Sequence, residues 1–474
     1  MQKLNAVHEQ ILKKITPTPA DRAKITALAE ELMQKVAQAC EEQDIIAAVR
    51  VEGSVAKDTW LREEPEIDVF MRLPSTIPRQ SLGQISLKIA RKATEDASQQ
   101  VERFAEHPYL EAFIDGIRLN IVPCYDVKRG EWLSATDRTP FHTDYVKNRL
   151  NEAARGEVRL LKKFLKNVGV YGAEIKTGGF SGYLCELLIV HHKSFAKTLR
   201  AFAGYTQRVA IDIEGYYSNR EKELTRFFTE PLVVVDPVDK ARNVASAVQP
   251  QKLYTLVAAA RAFLKTPNAK FFYPPKINAL TTKALASKLE NRGASLVFLT
   301  LGKMEVVPDV LWGQLYKTQR ALRKLVELND FKVLRDVVWS DEKMLSVFVF
   351  ELEQRVLPSV KKHMGPPLKR EKECETFLSK YEGNGSVVSG PYLEDSRWAV
   401  ELQRRFADVV GLLRANLREG GRDIGVAELM AQAFRDKLEV LFNSEVLEVY
   451  RGNRAFAEFL TVFLSGKPFW LKID

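Results

Sequence analysis

Two carboxylates, Glu66 and Asp68, stand in the run Glu66-Ile67-Asp68-Val69-Phe70-Met71. Strand alternation puts both on one face and leaves Ile67, Val69 and Met71 for a core. Such a pair can hold a divalent cation of the Mg2+ kind, which takes hard oxygen ligands and completes its shell with phosphate and water. Two ions held this way can clamp an in-line displacement at phosphorus. An acidic edge strand facing water would read the same, and a bare pair two residues apart more often means that. The residues before it favour phosphate chemistry. The apolar run from Ile45 to Val51 reads as a strand and leads to Gly53-Ser54. A Gly-Ser turn opening a short helix offers backbone N–H groups and a hydroxyl to phosphate, and Lys57 adds a point charge.

Other elements must position this stretch. Thr18, Pro19 and Asp21 have the types expected at an N-cap, a first helical position and a first turn, and Ile25, Leu28, Leu32 and Val36 follow at helical spacing. A second helix is predicted after Pro74–Pro78, running to about Val101. Asp115-Gly116 predicts a hairpin turn into a strand from Ile117 to Val122. A glycine-serine turn followed by a carboxylate pair resembles the signature of polymerase-beta-type nucleotidyltransferases, and the resemblance implies a third carboxylate on a later strand. The strand that should carry it has Asn120 instead, an amide that is neutral and cannot act as a base.

Further motifs narrow the resemblance. Val122-Pro123-Cys124-Tyr125, Asp137–His142, Gly179–Glu186, Val235–Asp239 with Arg242–Ala245, and His363–Pro367 occur together and in this order. They resemble those of the archaeal-type, class I CCA-adding tRNA nucleotidyltransferases, over nearly the whole chain. The resemblance implies that Lys162 and Tyr171 contact the nucleotide triphosphate, that His142 lies beside the same pocket, and that Arg242 takes part in recognising the base. It also implies that one pocket selects CTP twice and then ATP without a nucleic-acid template.

The expected fold class is α+β and multidomain: a polymerase-beta-like nucleotidyltransferase head over 1–146, a helical neck over 147–267, a ferredoxin-like α/β body over 268–397 and a helical tail over 398–474. In the neck, Val158, Leu161, Phe164 and Leu165 line one side of a helix, with Lys163 and Lys166 expected on a solvated face. His191-His192 lacks a third ligand nearby and receives no role. In the body, Phe298, Phe348 and Phe350 are expected in the core rather than as base-stacking residues. A basic loop around His363–Pro367, with Lys361, Lys362, Lys369, Arg370 and Lys372, could equally grip RNA phosphates or be solvated surface. Arg404, Arg405 and Arg414 would suit a helical tail against a tRNA stem.

Length and charge agree with a polyanion-handling enzyme. The chain has 474 residues and a formal net charge of +10, enough for several cores and favourable to a phosphate-rich partner. Its four cysteines are widely spaced, which suggests neither a zinc ribbon nor a disulfide framework and fits a reducing cytoplasm. No apolar run approaches membrane-spanning length.

The resulting expectation is a CCA tRNA nucleotidyltransferase. Glu66, Asp68 and Asn120 form its catalytic and metal site, with Mg2+ as cofactor. Gly53, Ser54, Lys57, His142, Lys162, Tyr171 and Arg242 bind nucleotide, and CTP, ATP and the acceptor arm and 3′ end of tRNA are the partners. Sequence leaves the oligomeric state open, a homodimer included. Asn120 motivates the alternative of a tRNA-binding protein with impaired or lost catalysis. A transferase acting on another acceptor would leave the later motifs unexplained.

Overall fold

The computed structural model describes residues 2–104 and 106–471. It divides into two compact units, one holding the chain up to Lys276 together with the stretch from Pro468, the other Ile277–Lys467.

The first unit begins with helices α1 (Gln2–Ile15) and α2 (Pro19–Glu41). The start of α2 is fixed by a reciprocal capping box: the Thr18 hydroxyl accepts from Asp21 N, and the Asp21 carboxylate accepts from Thr18 N. Strand β1 (Ala48–Glu52), the single-turn helix α3 (Gly53–Ala56), β2 (Glu66–Leu73), α4 (Arg79–Ala93), β3 (Gln99–Phe104), β4 (Pro108–Ile114) and β5 (Ile117–Tyr125) follow. The five strands form one sheet in the order β1-β2-β5-β4-β3. Strand β2 pairs antiparallel with β1 and parallel with β5, and the register sets Asp68 beside Asn120 and Glu66 beside Arg118. Ile67, Val69 and Met71 are buried in one core with Ile25, Leu32 and Val36 of α2 and Leu82 and Ile89 of α4. That packing turns the even-numbered side chains of β2 to the opposite face. Asp115 and Gly116 both have positive φ, +51° and +75°, as the two-residue hairpin between β4 and β5 requires.

The second helix stops at Ala93, and Val101, expected at its end, lies in β3 instead. The Gln100 amide donates to the carbonyls of Arg91 and Thr94, which satisfies the helix end from the strand that follows.

The rest of this unit holds α5 (Thr139–Arg149), α6 (Glu152–Val168), α7 (Gly182–His192), α8 (Phe195–Ala203), β6 (Val209–Ile211), α9 (Glu221–Phe227), β7 (Leu232–Val234) and α10 (Pro250–Lys265). It is mostly helical, as the periodicity predicts, with one small parallel pair, β6 and β7. Val158, Leu161, Phe164 and Leu165 of α6 are fully buried. Lys163 is not on a solvated face: it is 7% exposed and pairs with Glu63. Lys166 remains exposed and pairs with Glu64. A division at 146/147 passes through α5.

The second unit runs through α11 (Thr282–Glu290), β8 (Ser295–Leu301), α12 (Pro308–Leu328), β9 (Val333–Ser340), β10 (Ser346–Leu352), β11 (Val360–Pro367), α13 (Glu371–Tyr381), β12 (Val387–Glu394) and β13 (Arg397–Gln403). It closes with α14 (Val409–Leu417), α15 (Glu428–Lys437), β14 (Glu439–Phe442), α16 (Leu447–Gly452) and α17 (Arg454–Ser465). The main sheet is antiparallel in the order β14-β8-β10-β9. Over 295–352 its elements succeed one another as strand, helix, strand and strand, but the edge beside β8 comes from residues expected to belong to a helical tail. Helices cover both faces: α12, α14 and α15 pack on Val297, Leu299, Phe348 and Phe350, and α11, α16 and α17 on Leu296, Phe298, Val347 and Val349. The three phenylalanines are therefore core, at most 1% exposed.

Two further expectations change here. His363–Pro367 is strand rather than loop, because β11 pairs with β13 in a small three-stranded sheet, with a register shift between Met364 and Pro367. The segment from Trp398 is not all helix, since it supplies β13 and β14. Arg404 pairs with Asp330 and Arg414 donates to the Val440 carbonyl, so both tie the unit together.

Candidate active site

The turn after β1 comes against the carboxylates because Gly53 has no side chain. Its φ is +68°, and a Cβ there would overlap the Asp68 carboxylate. Ser54 follows, and its carbonyl accepts from Thr59 N at 2.9 Å, folding the segment so that Lys57 and Thr59 turn inward.

Glu66, Asp68 and Asn120 meet on the face of the sheet away from α2 and α4. The Asn120 amide nitrogen donates to Glu66 Oε1 at 2.6 Å and to Asp68 Oδ1 at 2.8 Å. Arg118 donates to the other Glu66 oxygen at 2.6 Å. Burial, and then the charge of Glu66, push the Asp68 carboxyl up to about 7. Among the described residues, no three of His, Cys, Asp and Glu are grouped to hold a metal ion.

The residues present nonetheless fit a divalent cation. Two carboxylates converge on one point, where an N–H donor now sits, and Asn120 Oδ1 is buried without a hydrogen-bond partner. Turning the amide over would bring that oxygen to the same point. The donor set is then two carboxylates and one neutral oxygen, with one negative charge fewer than three carboxylates provide.

Beside this floor, α6 and α7 contribute a second group. Lys162 is 3% exposed, and its ammonium donates to Thr59 O at 3.2 Å, Thr59 Oγ1 at 3.0 Å and Glu186 Oε1 at 3.3 Å. Lys57 donates to Glu186 Oε2 at 2.6 Å. Tyr171 approaches Gly182 so closely that a Cβ there would lie 3.1 Å from its hydroxyl. Burial, and then the negative groups around it, raise the Tyr171 phenol well above its usual range, so it stays a proton donor.

A third group centres on Asp236, which is wholly buried. It accepts from His142 Nε2 at 2.9 Å, Arg242 at 2.8 Å, Tyr183 Oη at 3.1 Å and Val238 N at 2.9 Å. Burial opposes its charge, but these partners prevail and hold the carboxyl at about 2. Burial in turn lowers His142, whose ring stacks on Tyr183 with centroids 4.0 Å apart. Lys57 lies over the other ring neighbour, 5.8 Å from the Tyr183 centroid, which joins this group to the second.

All ten residues singled out from the sequence thus fall in three adjoining groups. The sequence reading gave no role to Thr59, Tyr183, Glu186, Asp236 or Arg159. A usable signal existed for Glu186, the one charged residue within the apolar run Leu184–Val190, because a buried charge demands a partner. Arg159 is 1% exposed and pairs with Asp58 at 2.7 Å.

Three family models match in succession: a nucleotidyltransferase domain over residues 33–152, the second domain of tRNA nucleotidyltransferase over 156–273, and the C-terminal domain of CCA-adding enzyme over 292–442. A CCA-adding enzyme of Methanosarcina acetivorans is 40% identical over 411 residues, 86% of this chain and 88% of the relative. Another, of Methanothermobacter thermautotrophicus, is 34% identical and covers 97% of this chain and 98% of its own. The structure of E. coli MS115-1 CdnC with ATP superposes with a TM-score of 0.44 at 19% identity, over 57% of this chain and 93% of that one.

Proposed function

Because the chain belongs to the CCA-adding enzymes, a family of nucleotidyltransferases, we propose that it adds C, C and A to the 3′ end of tRNA from CTP and ATP, releasing pyrophosphate. The observation that carries this reading is the convergence of Glu66 and Asp68 beside the Gly53-Ser54 turn, in a chain that matches such enzymes nearly end to end. An inactive tRNA-binding protein, the other meaning of Asn120, finds no support among relatives that are named as enzymes.

Nucleotidyltransferase chemistry implies a divalent metal, and we take it to be Mg2+, held by Glu66, Asp68 and the turned amide oxygen of Asn120. Bound there, it would supply Lewis-acid stabilisation of charge on the attacking and leaving oxygens. The chain's own groups do the rest. Ser54 and the backbone after Gly53, with Lys57, Lys162 and Tyr171, orient and neutralise the triphosphate. Lys162 has all three N–H groups engaged with Thr59 and Glu186, so it reaches phosphate by giving up part of that network. Asp236 fixes Arg242 and His142 by ion pair and hydrogen bond, which suits them to present fixed polar edges to a base. Acceptor-arm recognition by shape and phosphate contact, a cytoplasmic location and the absence of a nucleic-acid template belong to the same proposal.

Incubation with Mg2+, labelled CTP and ATP, and tRNA lacking its terminal CCA tests it. Incorporation of two C and one A is expected. Binding of tRNA with no incorporation, in this protein and in Asn120→Asp alike, would sink the proposal.

A further inference from the structure

Glu186 lies in a buried ion cluster where the roles above leave it unassigned. Its side chain is inaccessible to solvent, on the face of α7 that also carries Gly182 and Tyr183. Its two oxygens are shared among three donors from two other segments: Lys57 Nζ at 2.6 Å and Thr59 Oγ1 at 2.6 Å from the loop after α3, and Lys162 Nζ at 3.3 Å from α6. Thr59 also accepts from Lys162 at 3.0 Å, so its hydroxyl relays one partner to the other.

The charge balance of this cluster is unusual. Two ammoniums, 7% and 3% exposed, are paired with the one carboxylate of Glu186, while Glu52 and Asp68 act on Lys57 through their charge alone. A buried ammonium is costly unless an opposite charge is held in contact with it. Burial lowers the basicity of Lys162, and Glu186 is the largest influence keeping it protonated. Burial likewise opposes ionisation of Glu186, but Lys57 and Lys162 outweigh it and hold the carboxyl below its usual range. Without the carboxylate, two ammoniums would be left together out of water, and each would tend to lose its proton or swing away.

We propose that Glu186 is a positioning residue for nucleotide binding: it keeps Lys57 and Lys162 charged and in place for the triphosphate, without touching the nucleotide itself. This rests on the reading of those two lysines as triphosphate ligands. An ion pair that merely joins α7 to its neighbours would affect stability and leave nucleotide affinity alone.

The test measures affinity for CTP and for ATP, affinity for tRNA, and turnover at saturating nucleotide, in the full chain. Glu186→Gln keeps the shape and removes the charge. It is expected to weaken CTP and ATP by the same factor, about tenfold or more, as loss of charge-assisted hydrogen bonds implies, with tRNA affinity within about twofold. Glu186→Asp keeps the charge but, on a stem one carbon shorter, cannot reach all three donors, and should lose part of the affinity, less than Glu186→Gln does. In a Lys57→Met, Lys162→Met background the further change Glu186→Gln should add little, because its effect passes through the lysines. A folded Glu186→Gln protein with unchanged nucleotide affinity, or with tRNA binding weakened equally, overturns the proposal. If Glu186→Gln does not fold, Glu186→Asp decides: reduced CTP and ATP affinity with intact tRNA binding supports the role, and unchanged affinity refutes it. If the lysine variants themselves bind CTP and ATP normally, the lysine assignment fails and takes this inference with it; if they bind poorly while Glu186→Gln is indifferent, only the role of Glu186 falls.

Discussion

Asn120 occupies the strand position where the family resemblance leads one to expect a carboxylate, and its amide hydrogen-bonds both remaining acids. The site therefore has less charge with which to hold a cation. Asn120→Asp should tighten divalent-metal binding, followed by Mn2+ titration, and raise the single-turnover rate of nucleotide incorporation by about tenfold or more, since each ~1.4 kcal/mol is tenfold. An unchanged rate and unchanged metal affinity would place residue 120 outside the reacting centre. Asp68 makes a second prediction in metal-free protein. Its folded carboxyl titrates near 7, against about 3.9 unfolded, so the folded state binds the extra proton and this group costs stability as pH rises from about 4 to 7. Metal-free Asp68→Asn should melt a few degrees above the parent at pH 8 and no higher near pH 4. The opposite trend would contradict the raised value. Glu66 and Asp68 were legible as a pair because spacing of two fixes the face. How far each is enclosed was not, because it depends on what packs around β2.

At the scale of elements, two junctions make the site. Gly53 lets the turn close on Asp68, so Gly53→Ala meets both an unfavourable φ and a clash with the carboxylate. The expected outcome is a stability loss of about 1–3 kcal/mol and a large fall in incorporation, read by thermal melting and by turnover at saturating CTP. The basic row of α6 is the other junction. Arg159 donates to the carbonyls of Trp60 at 3.1 Å and Asp58 at 2.5 Å besides its ion pair. Arg159→Met strands those acceptors and should cost about 2–4 kcal/mol in denaturant unfolding; a change below about 0.5 kcal/mol would show that the contacts are expendable. Helical spacing revealed the apolar stripe of α6, but charged residues on such a helix read as surface until a neighbouring loop is known to cover them. The same applies to Val101 and β14, since strand or helix was decided by a pairing partner, the neighbouring β4 for the first and the distant β8 for the second.

For the whole molecule, the net charge of +10 predicts that tRNA binding weakens steeply with salt. Raising monovalent salt from 50 to 200 mM should reduce affinity by at least about tenfold, with a linear log–log slope that counts phosphate contacts. A flat response in filter binding would argue against phosphate-led recognition. The main sheet of the second unit has helices on both faces, so Phe298, Phe348 and Phe350 are unavailable for stacking on RNA. By itself the sequence pointed to nucleotidyl transfer, through the Gly53-Ser54 turn, the Glu66 and Asp68 pair and the family resemblance, and it named the residues proposed for the site. The tertiary structure decided which charges are buried and with what: Glu186 between two lysines, Asp236 between His142 and Arg242, Lys163 against Glu63. Those pairings join residues from about 24 to about 130 positions apart, apart from the local Asp236–Arg242 pair. Most are set by packing rather than by local spacing, and burial is what makes each of them costly to break.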